Sequence, residues 1–304
     1  QVTKKYSEIV RGDFVEFGQP ITKKWDVGFI FVIPIDDIIE LARVYAASCN
    51  RVMYYTICET EPVNDDYAKL LNLSDTIWTS SKFCSDILSK QFPTCKFPVL
   101  MLYSPLPRQV YSHIEIPRGK YIFYHIGNVI DIRKNINGLV ECFIRANIPN
   151  SMLVLKASCV RKFDLRIPNV LVFQEFFDEA QMESLHKQCQ CYVSFSHSEG
   201  AGMGAVEAAV RDKPVIIQEY GATREYIPDT PFVVKCSMKK VGLNDFLFRE
   251  NDQWGDPDKN DMIQFMRHVA ENNITSWDHT STRAIMNNVK KSLVKKMLKD
   301  TKCL

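Results

Sequence analysis

The chain has 304 residues, 46% of them apolar, with 38 Lys and Arg against 36 Asp and Glu. That length exceeds the usual size of one domain and can supply two cores, while a net charge of +2 excludes the basic footprint of a nucleic-acid binder. The longest apolar run, Val27 to Ile35, is too short to span a bilayer, and the start lacks a signal-peptide pattern, so a soluble, cytoplasmic protein is expected.

Strands alternate with helices along the chain, which predicts an α/β fold with doubly wound parallel sheets. The first unit reads as a strand from Trp25 to Ile33, a helix from Asp36 to Ala47, a strand from Arg51 to Ile57 and a helix from Asp65 to Leu73. Thr76 to Ser80 and Val99 to Tyr103 supply further strands around a helix near Phe83 to Gln91. Tyr103-Ser104-Pro105-Leu106-Pro107 then breaks the pattern, and the polar stretch to Gly119 reads as a linker.

The second unit begins with an apolar strand from Lys120 to His125 and a turn at Gly127-Asn128. Arg133-Lys134-Asn135 precedes an amphipathic helix with Ile136, Leu139, Val140 and Phe143 on its apolar face. Strands follow at Met152 to Lys156, Val170 to Gln174, Cys191 to Ser196, Val215 to Gln218 and Phe232 to Val234. The domains expected are residues 1–118, residues 119–285 and a basic amphipathic helix at residues 286–304. That helix, with Lys290, Lys291, Lys295 and Lys296 around its apolar positions, can pack on the body of the protein or lie on an anionic membrane surface.

One stretch looks built for chemistry. Between the strand at Cys191 and a helix that opens at Val206 lies His197-Ser198-Glu199-Gly200-Ala201-Gly202-Met203-Gly204-Ala205-Val206-Glu207. Its glycines permit a ligand to approach bare backbone N–H groups at a helix start, which favours an anion such as a diphosphate. Carboxylates would repel that anion, so Glu199 and Glu207 are better aimed at hydroxyl groups. A diphosphate with hydroxyls at both ends is a nucleotide sugar.

The run from Cys191 to Tyr226, with Glu199-x7-Glu207, the EGAGMG loop, Lys213-Pro214-Val215-Ile216-Ile217 and Gly221-Ala222-Thr223-Arg224-Glu225, resembles the donor site of the retaining glycosyltransferases of family 4. The resemblance implies a GT-B fold, two Rossmann-like domains facing a cleft, with the first abbreviated. It also implies transfer of a sugar from a UDP-, GDP- or ADP-linked donor to a hydroxyl of a glycan, protein or lipid-linked acceptor, with anomeric retention. Glu207 would hold the ribose, Glu199 the transferred sugar, and the backbone of Gly200, Ala201, Gly202, Met203 and Gly204 the sugar and phosphate. Arg133 and Lys134, near Gly127 and Asn128, would neutralise the diphosphate without a metal or cofactor. Asn128 stands where the family often has Arg. The base would meet the strand end at Gln174 to Phe176.

Other features stay open between roles. His125 would touch a donor phosphate or be a structural histidine, and His197 would line the donor pocket or not. Glu59 and Glu61 at a strand end would face the acceptor or only solvent. Cys142, Cys189 and Cys191 are expected as buried thiols in a reducing compartment, without a zinc site. Asp212 stands where the family commonly has Gly and can take the left-handed conformation. The start, Gln1 to Lys5, lacks a glycine-rich loop, which implies a pared-down acceptor domain or a piece of a longer protein. The alternatives to a transferase are an inactive donor-binding partner of a larger transferase, a nucleotide-sugar 2-epimerase, or a nucleotide-sugar hydrolase.

Overall fold

The structure, a computed structural model, describes residue 7 and residues 13–158, 165–245 and 247–299, with backbone alone for 294–299. Gln1 to Lys5 and the side chains of Lys295 and Lys296 therefore lie outside the described residues. The chain forms two compact units: Gln1–Tyr103 with Lys239–Trp254 and Ala284–Leu304, and Ser104–Met238 with Gly255–Arg283.

In the first unit β1 (Trp25–Phe31), β2 (Cys49–Thr56) and β3 (Trp78–Thr79) form a parallel sheet in that order. Helix α1 (Asp36–Ala46) buries Ile39, Ala42 and Tyr45, one stripe at helical spacing, and has Asp36 and Asp37 in its first turn and Arg43 in its last. Helix α2 (Lys82–Gln91) starts at Ser81, whose hydroxyl accepts from the Cys84 N–H. Ile30, Ile77, Leu70, Ile87 and Leu88 close the core.

The helix expected from Asp65 to Leu73 is present as a 3-10 helix, Asp65–Asn72, entered through Asn64, whose side chain accepts from the Asp66 N–H. One expectation fails here: Val99 to Tyr103 is not a strand. Alongside β3 only the bridges Thr76↔Lys96 and Thr79↔Val99 form, and Pro98, which gives its carbonyl to Thr79, has no N–H to extend the ladder.

The second unit holds a six-stranded parallel sheet of order β6-β5-β4-β7-β8-β9. Its strands are β4 (Tyr121–Gly127), β5 (Ser151–Ala157), β6 (Val170–Phe173), β7 (Cys191–Val193), β8 (Val215–Gln218) and β9 (Val233–Val234). The main helices are α3 (Ile136–Ala146), α4 (Glu179–Gln188), α5 (Met203–Ala209), the single turn α6 (Thr223–Tyr226) and α7 (Lys259–Glu271). Every residue of β5 is buried, as a strand covered on both faces requires. The α3 face of Ile136, Leu139, Val140 and Phe143 packs with Phe123, Leu155, Val193, Met262 and Met266. Each fully buried large apolar side chain there contributes about 1.5–3 kcal/mol.

The chain winds outward from β4 through β5 to β6, then returns to lay β7, β8 and β9 on the other side of β4. The direction of winding reverses between β4 and β7. Ligands of open α/β sheets bind beyond the carboxyl ends of strands at such a point. Strand β7 stops at Val193, short of the expected Ser196, and α5 begins at Met203, three residues before the expected Val206, because Gly202 takes a left-handed φ of 74° and sets the helix start. Asp212 adopts the left-handed φ of 55°. Strands β10 (Cys236–Lys240) and β11 (Gln253–Pro257) pair separately, and α8 (Thr280–Lys299) is the last described helix.

Candidate functional site

Two loops meet at the switch point. After β4, Asp131 accepts from the Arg133 N–H at 2.9 Å and caps a 3-10 turn, Ile132–Lys134, and Asn135 at φ 48° redirects the chain into α3. This tight turn sets Arg133 and Lys134 over the end of β4. After β7, residues Ser194 to Ala201 are buried and lead to Gly202.

Glycine at 204 lets the loops approach. A Cβ there would lie 2.5 Å from the Tyr192 hydroxyl and 3.0 Å from the Ile126 carbonyl, so α5 can press against the ends of β4 and β7 only without a side chain. Gly221, at φ 106°, plays the same part behind Glu199: a Cβ would sit 2.9 Å from the Glu199 backbone N and O.

The result is a buried ionic cluster. Lys134 Nζ donates to Glu199 Oε1 at 2.5 Å, Arg133 Nη1 lies 3.2 Å from Glu199 Oε2, and the Ser196 hydroxyl donates to Oε1 at 2.8 Å. Burial by itself would raise the Glu199 carboxyl, but the charges of Lys134 and Arg133 and the hydrogen bonds of Lys134 and Ser196 hold it down to about 2. Glu199 is ionised. Arg133 also donates to the Ser198 carbonyl at 2.8 Å and to Asp131 Oδ2 at 3.2 Å, and its own carbonyl accepts from the His197 N–H at 2.7 Å. The side chains of Arg133 and Lys134 are 11% and 15% exposed, which rules out a pair of solvated helix-start charges.

His125 lies beside the cluster, 1% exposed. Its Nδ1 is 2.9 Å from the Val193 carbonyl, and burial, followed by the charge of Lys134, pushes its pKa down to about 4. A neutral ring facing a carbonyl carries its proton on Nδ1, so Nε2 is an acceptor. That Nε2 is buried and has no hydrogen-bond partner among the described residues. Among the described residues no group of three or more His, Cys, Asp or Glu is placed to hold a metal ion.

Glu207 is half-buried, the fifth residue of α5. The cluster residues, from the Arg133-Lys134 turn to Glu207, fall in one stretch of the chain. Residues 113–240 match the family model described as Glycosyl transferases group 1. The matched stretch lies almost wholly in the second unit. No curated protein matches the sequence.

Solved structures are similar in fold. A sucrose-phosphate synthase from Thermosynechococcus elongatus aligns with a TM-score of 0.51 at 16% identity, over 75% of this chain and 55% of its own. A UDP-forming α,α-trehalose-phosphate synthase from Burkholderia xenovorans aligns at 0.64 and 13%, over 91% and 74%. The pneumococcal O-GlcNAc transferase GtfA, in complex with UDP and GlcNAc, aligns at 0.52 and 12%, over 88% and 54%. This chain therefore spans little more than half the length of the first and third. The fold is of the GT-B type, with Rossmann-like parallel sheets.

Within the matched stretch the other expected residues are placed unevenly. Gly127 ends β4, and a Cβ on it would lie 3.0 Å from His125 Nε2 and 3.6 Å from Lys134 Cε, so it belongs to the cluster. Asn128 is exposed and its Oδ1 accepts from the Ile130 N–H at 3.4 Å. Gln174 and Phe176 follow β6, two strands from β4, which is about 10 Å away; Phe176 is 81% exposed. His197 ties its loop to Gly255, Nδ1 to carbonyl at 2.8 Å and Gly255 N–H to the His197 carbonyl at 3.0 Å. In the first unit Glu59 is buried, and Glu61 accepts from Lys90 at 2.8 Å.

Sequence reasoning missed Asp131 and Ser196. Both had a signal: Asp131 is spaced to cap the Arg133 N–H, and Ser196 stands three residues before Glu199. Cys142, Cys189 and Cys191 are buried free thiols, as expected, and burial pushes the Cys142 thiol up to about 11. Among the described residues no helix is long and apolar enough to cross a membrane.

Proposed function

We propose that the chain transfers a sugar from a nucleotide-diphosphate donor to an acceptor hydroxyl, with retention of anomeric configuration and without a metal. The observation that carries this reading is the Glu199–Lys134–Arg133 cluster at the switch point. A buried ionised carboxylate held by fixed cations costs desolvation and gains little net stability, so its place at a strand end calls for a ligand.

The donor diphosphate takes Lys134 from Glu199, since an ammonium on a flexible stem can turn from one anion to another. Arg133, bound to Ser198, Asp131 and Glu199, holds the loop and adds its charge from behind. Glu199, relieved of Lys134, accepts a hydroxyl of the transferred sugar, and Glu207 accepts the ribose hydroxyls. α5 has only seven residues, so the cations, more than a helix dipole, supply the field for the anion. As the glycosidic bond breaks, negative charge grows on the leaving phosphate and these fixed cations stabilise it. The leaving phosphate oxygen receives the proton of the incoming hydroxyl on the same face of the sugar. The base lies toward Gln174 and Phe176, whose exposed ring offers a stacking surface.

UDP is the nucleotide named with two of the structures that share the fold, which makes UDP-sugars the first donors to try. Turnover of a panel of UDP-, GDP- and ADP-sugars, with and without glycan and lipid-linked acceptors, tests the reading. Transfer that survives EDTA is the expected result. Hydrolysis without acceptor, C2 epimerisation, or donor binding without turnover each selects a different function, and activity restored only by manganese or magnesium removes the metal-free mechanism.

A further inference from the structure

Outside the cluster the second unit holds another buried ion pair. Glu183 on α4 is 4% exposed; its Oε2 accepts from Arg211 Nε at 2.8 Å, and Oε1 accepts from Arg211 Nη2 and from the Arg108 N–H. The remaining arm of the same guanidinium, Nη1, donates to the Glu207 carbonyl at 2.7 Å. The fork is thus clamped by a carboxylate on one side and grips the last turn of α5 with the other.

The carboxylate is itself firmly seated. His186, three residues further along α4, has Nδ1 2.8 Å from the Tyr124 hydroxyl of β4, and the Tyr124 ring stands edge-on to Tyr192 of β7 at 5.3 Å. The Tyr192 hydroxyl reaches the Ile126 carbonyl and meets Gly204. Glu183 therefore belongs to the rigid frame of the sheet. α5, by contrast, is too short to hold its own shape; of its last carbonyls, those of Val206, Ala208 and Ala209 accept from N–H groups of residues 210–213, and that of Glu207 accepts from the Arg211 side chain. A buried ion pair is no more stabilising than a well-packed apolar pair of similar volume. Its distinguishing capacity is to fix direction, because a planar guanidinium bound at three edges cannot turn.

We propose that Arg211 and Glu183 are positioning residues for the nucleotide sugar: they fix the last turn of α5 and so aim Glu207. This rests on the function proposed above. The connecting segment adds a hold from outside, since the Arg108 N–H and the Ser112–Ser184 hydrogen bonds lay residues 108–112 along α4 over Glu183.

The test uses the full chain carrying Glu183→Leu together with Arg211→Met, which exchanges the pair for apolar side chains without stranding either charge. The donor KM rises about tenfold while kcat stays within about threefold, the signature of lost uniform binding. In the ligand-free protein, amide exchange at Glu207 to Arg211 accelerates while Val215 to Gln218 remain protected. A folded double variant with unchanged donor KM and unchanged exchange overturns the proposal, as does a fall in kcat alone. If the double variant does not fold, Arg211→Lys keeps the charge and loses the fork; a KM raised a few fold supports the proposal and an unchanged KM overturns it. If the wild type turns over no nucleotide sugar, the function reading fails, and the exchange measurement alone decides whether the pair fixes α5.

Discussion

The two units bury polar groups of different kinds. In the first unit these are mainly hydroxyls and thiols: Ser80, whose hydroxyl meets Cys84 Sγ, and Ser81, with Cys58 and Cys84 bonded to each other's backbone, the Cys58 N–H to Cys84 Sγ at 3.5 Å. Glu59 is buried there as well. In the second unit they are full ion pairs, Glu199 with Lys134 and Arg133, and Glu183 with Arg211. Neutral groups become cheap to bury once bonded. Ions do not, because desolvation offsets most of their attraction. The Glu199 cluster, at the strand end, is the ion pair for which the proposed function supplies a ligand.

Removing one charge breaks this contrast most sharply. Glu199→Gln leaves Lys134 and Arg133 facing each other without their carboxylate, and should destabilise the protein by about 3 kcal/mol and lower sugar transfer by about a hundredfold or more. Leu88→Ala in the first core should cost a similar amount, about 2–4 kcal/mol, yet leave donor affinity unchanged. Urea titration and donor titration of both variants separate the two. Full stability in Glu199→Gln would mean that the cluster is only weakly coupled and the comparison misleading.

A smaller loss is expected at Glu207. Glu207→Gln keeps the fold but loses charge-assisted hydrogen bonds to the ribose, about 1.5–3 kcal/mol of donor binding. Donor affinity unaltered by this change would remove the ribose assignment.

Acid sharpens the comparison further. Glu199, held at about 2 in the fold against an ordinary 4.5, binds fewer protons folded than unfolded between those values. Its stabilisation is complete above about pH 5 and is lost as pH falls through 4.5 toward 2. His125, lowered from 6.5 to about 4, also binds fewer protons when folded, so stability begins to fall below pH 6.5. Both slopes have the same sign. His125→Gln should flatten the decline between pH 6.5 and 4 by about 1–2 kcal/mol, and an unchanged pH profile would show that His125 does not stay neutral in the fold.

The part of the site legible in the sequence was the part written in glycines and neighbours. Gly202 and Gly204 sit in the loop because only they permit its φ or its contact with Tyr192, and Arg133-Lys134 read as cations before a helix. The order of the strands was not legible, since a six-strand sheet with β4 beside β7 leaves no local mark. Asp65 to Leu73 read as a helix, and its apolar spacing, which suits either type, did not mark it as 3-10. Glu183 and Arg211, 28 residues apart on ordinary amphipathic surroundings, look like solvated charges until the fold brings them together. Phe176 read as part of a base site, and its exposed ring beyond β6 leaves that role to be decided by a ligand.

On the function proposed here, the turn carrying Lys134 and the loop carrying Glu199 hold the diphosphate of a nucleotide sugar. Calorimetric titration of the full chain with UDP, GDP and ADP, beside Lys134→Ala, tests this most directly. The wild type should bind at least one of these in EDTA, and Lys134→Ala should bind it about tenfold or more weakly, the loss of one charge-assisted hydrogen bond. A wild type that binds none of them, or a Lys134→Ala variant that binds as tightly as the wild type, would contradict it.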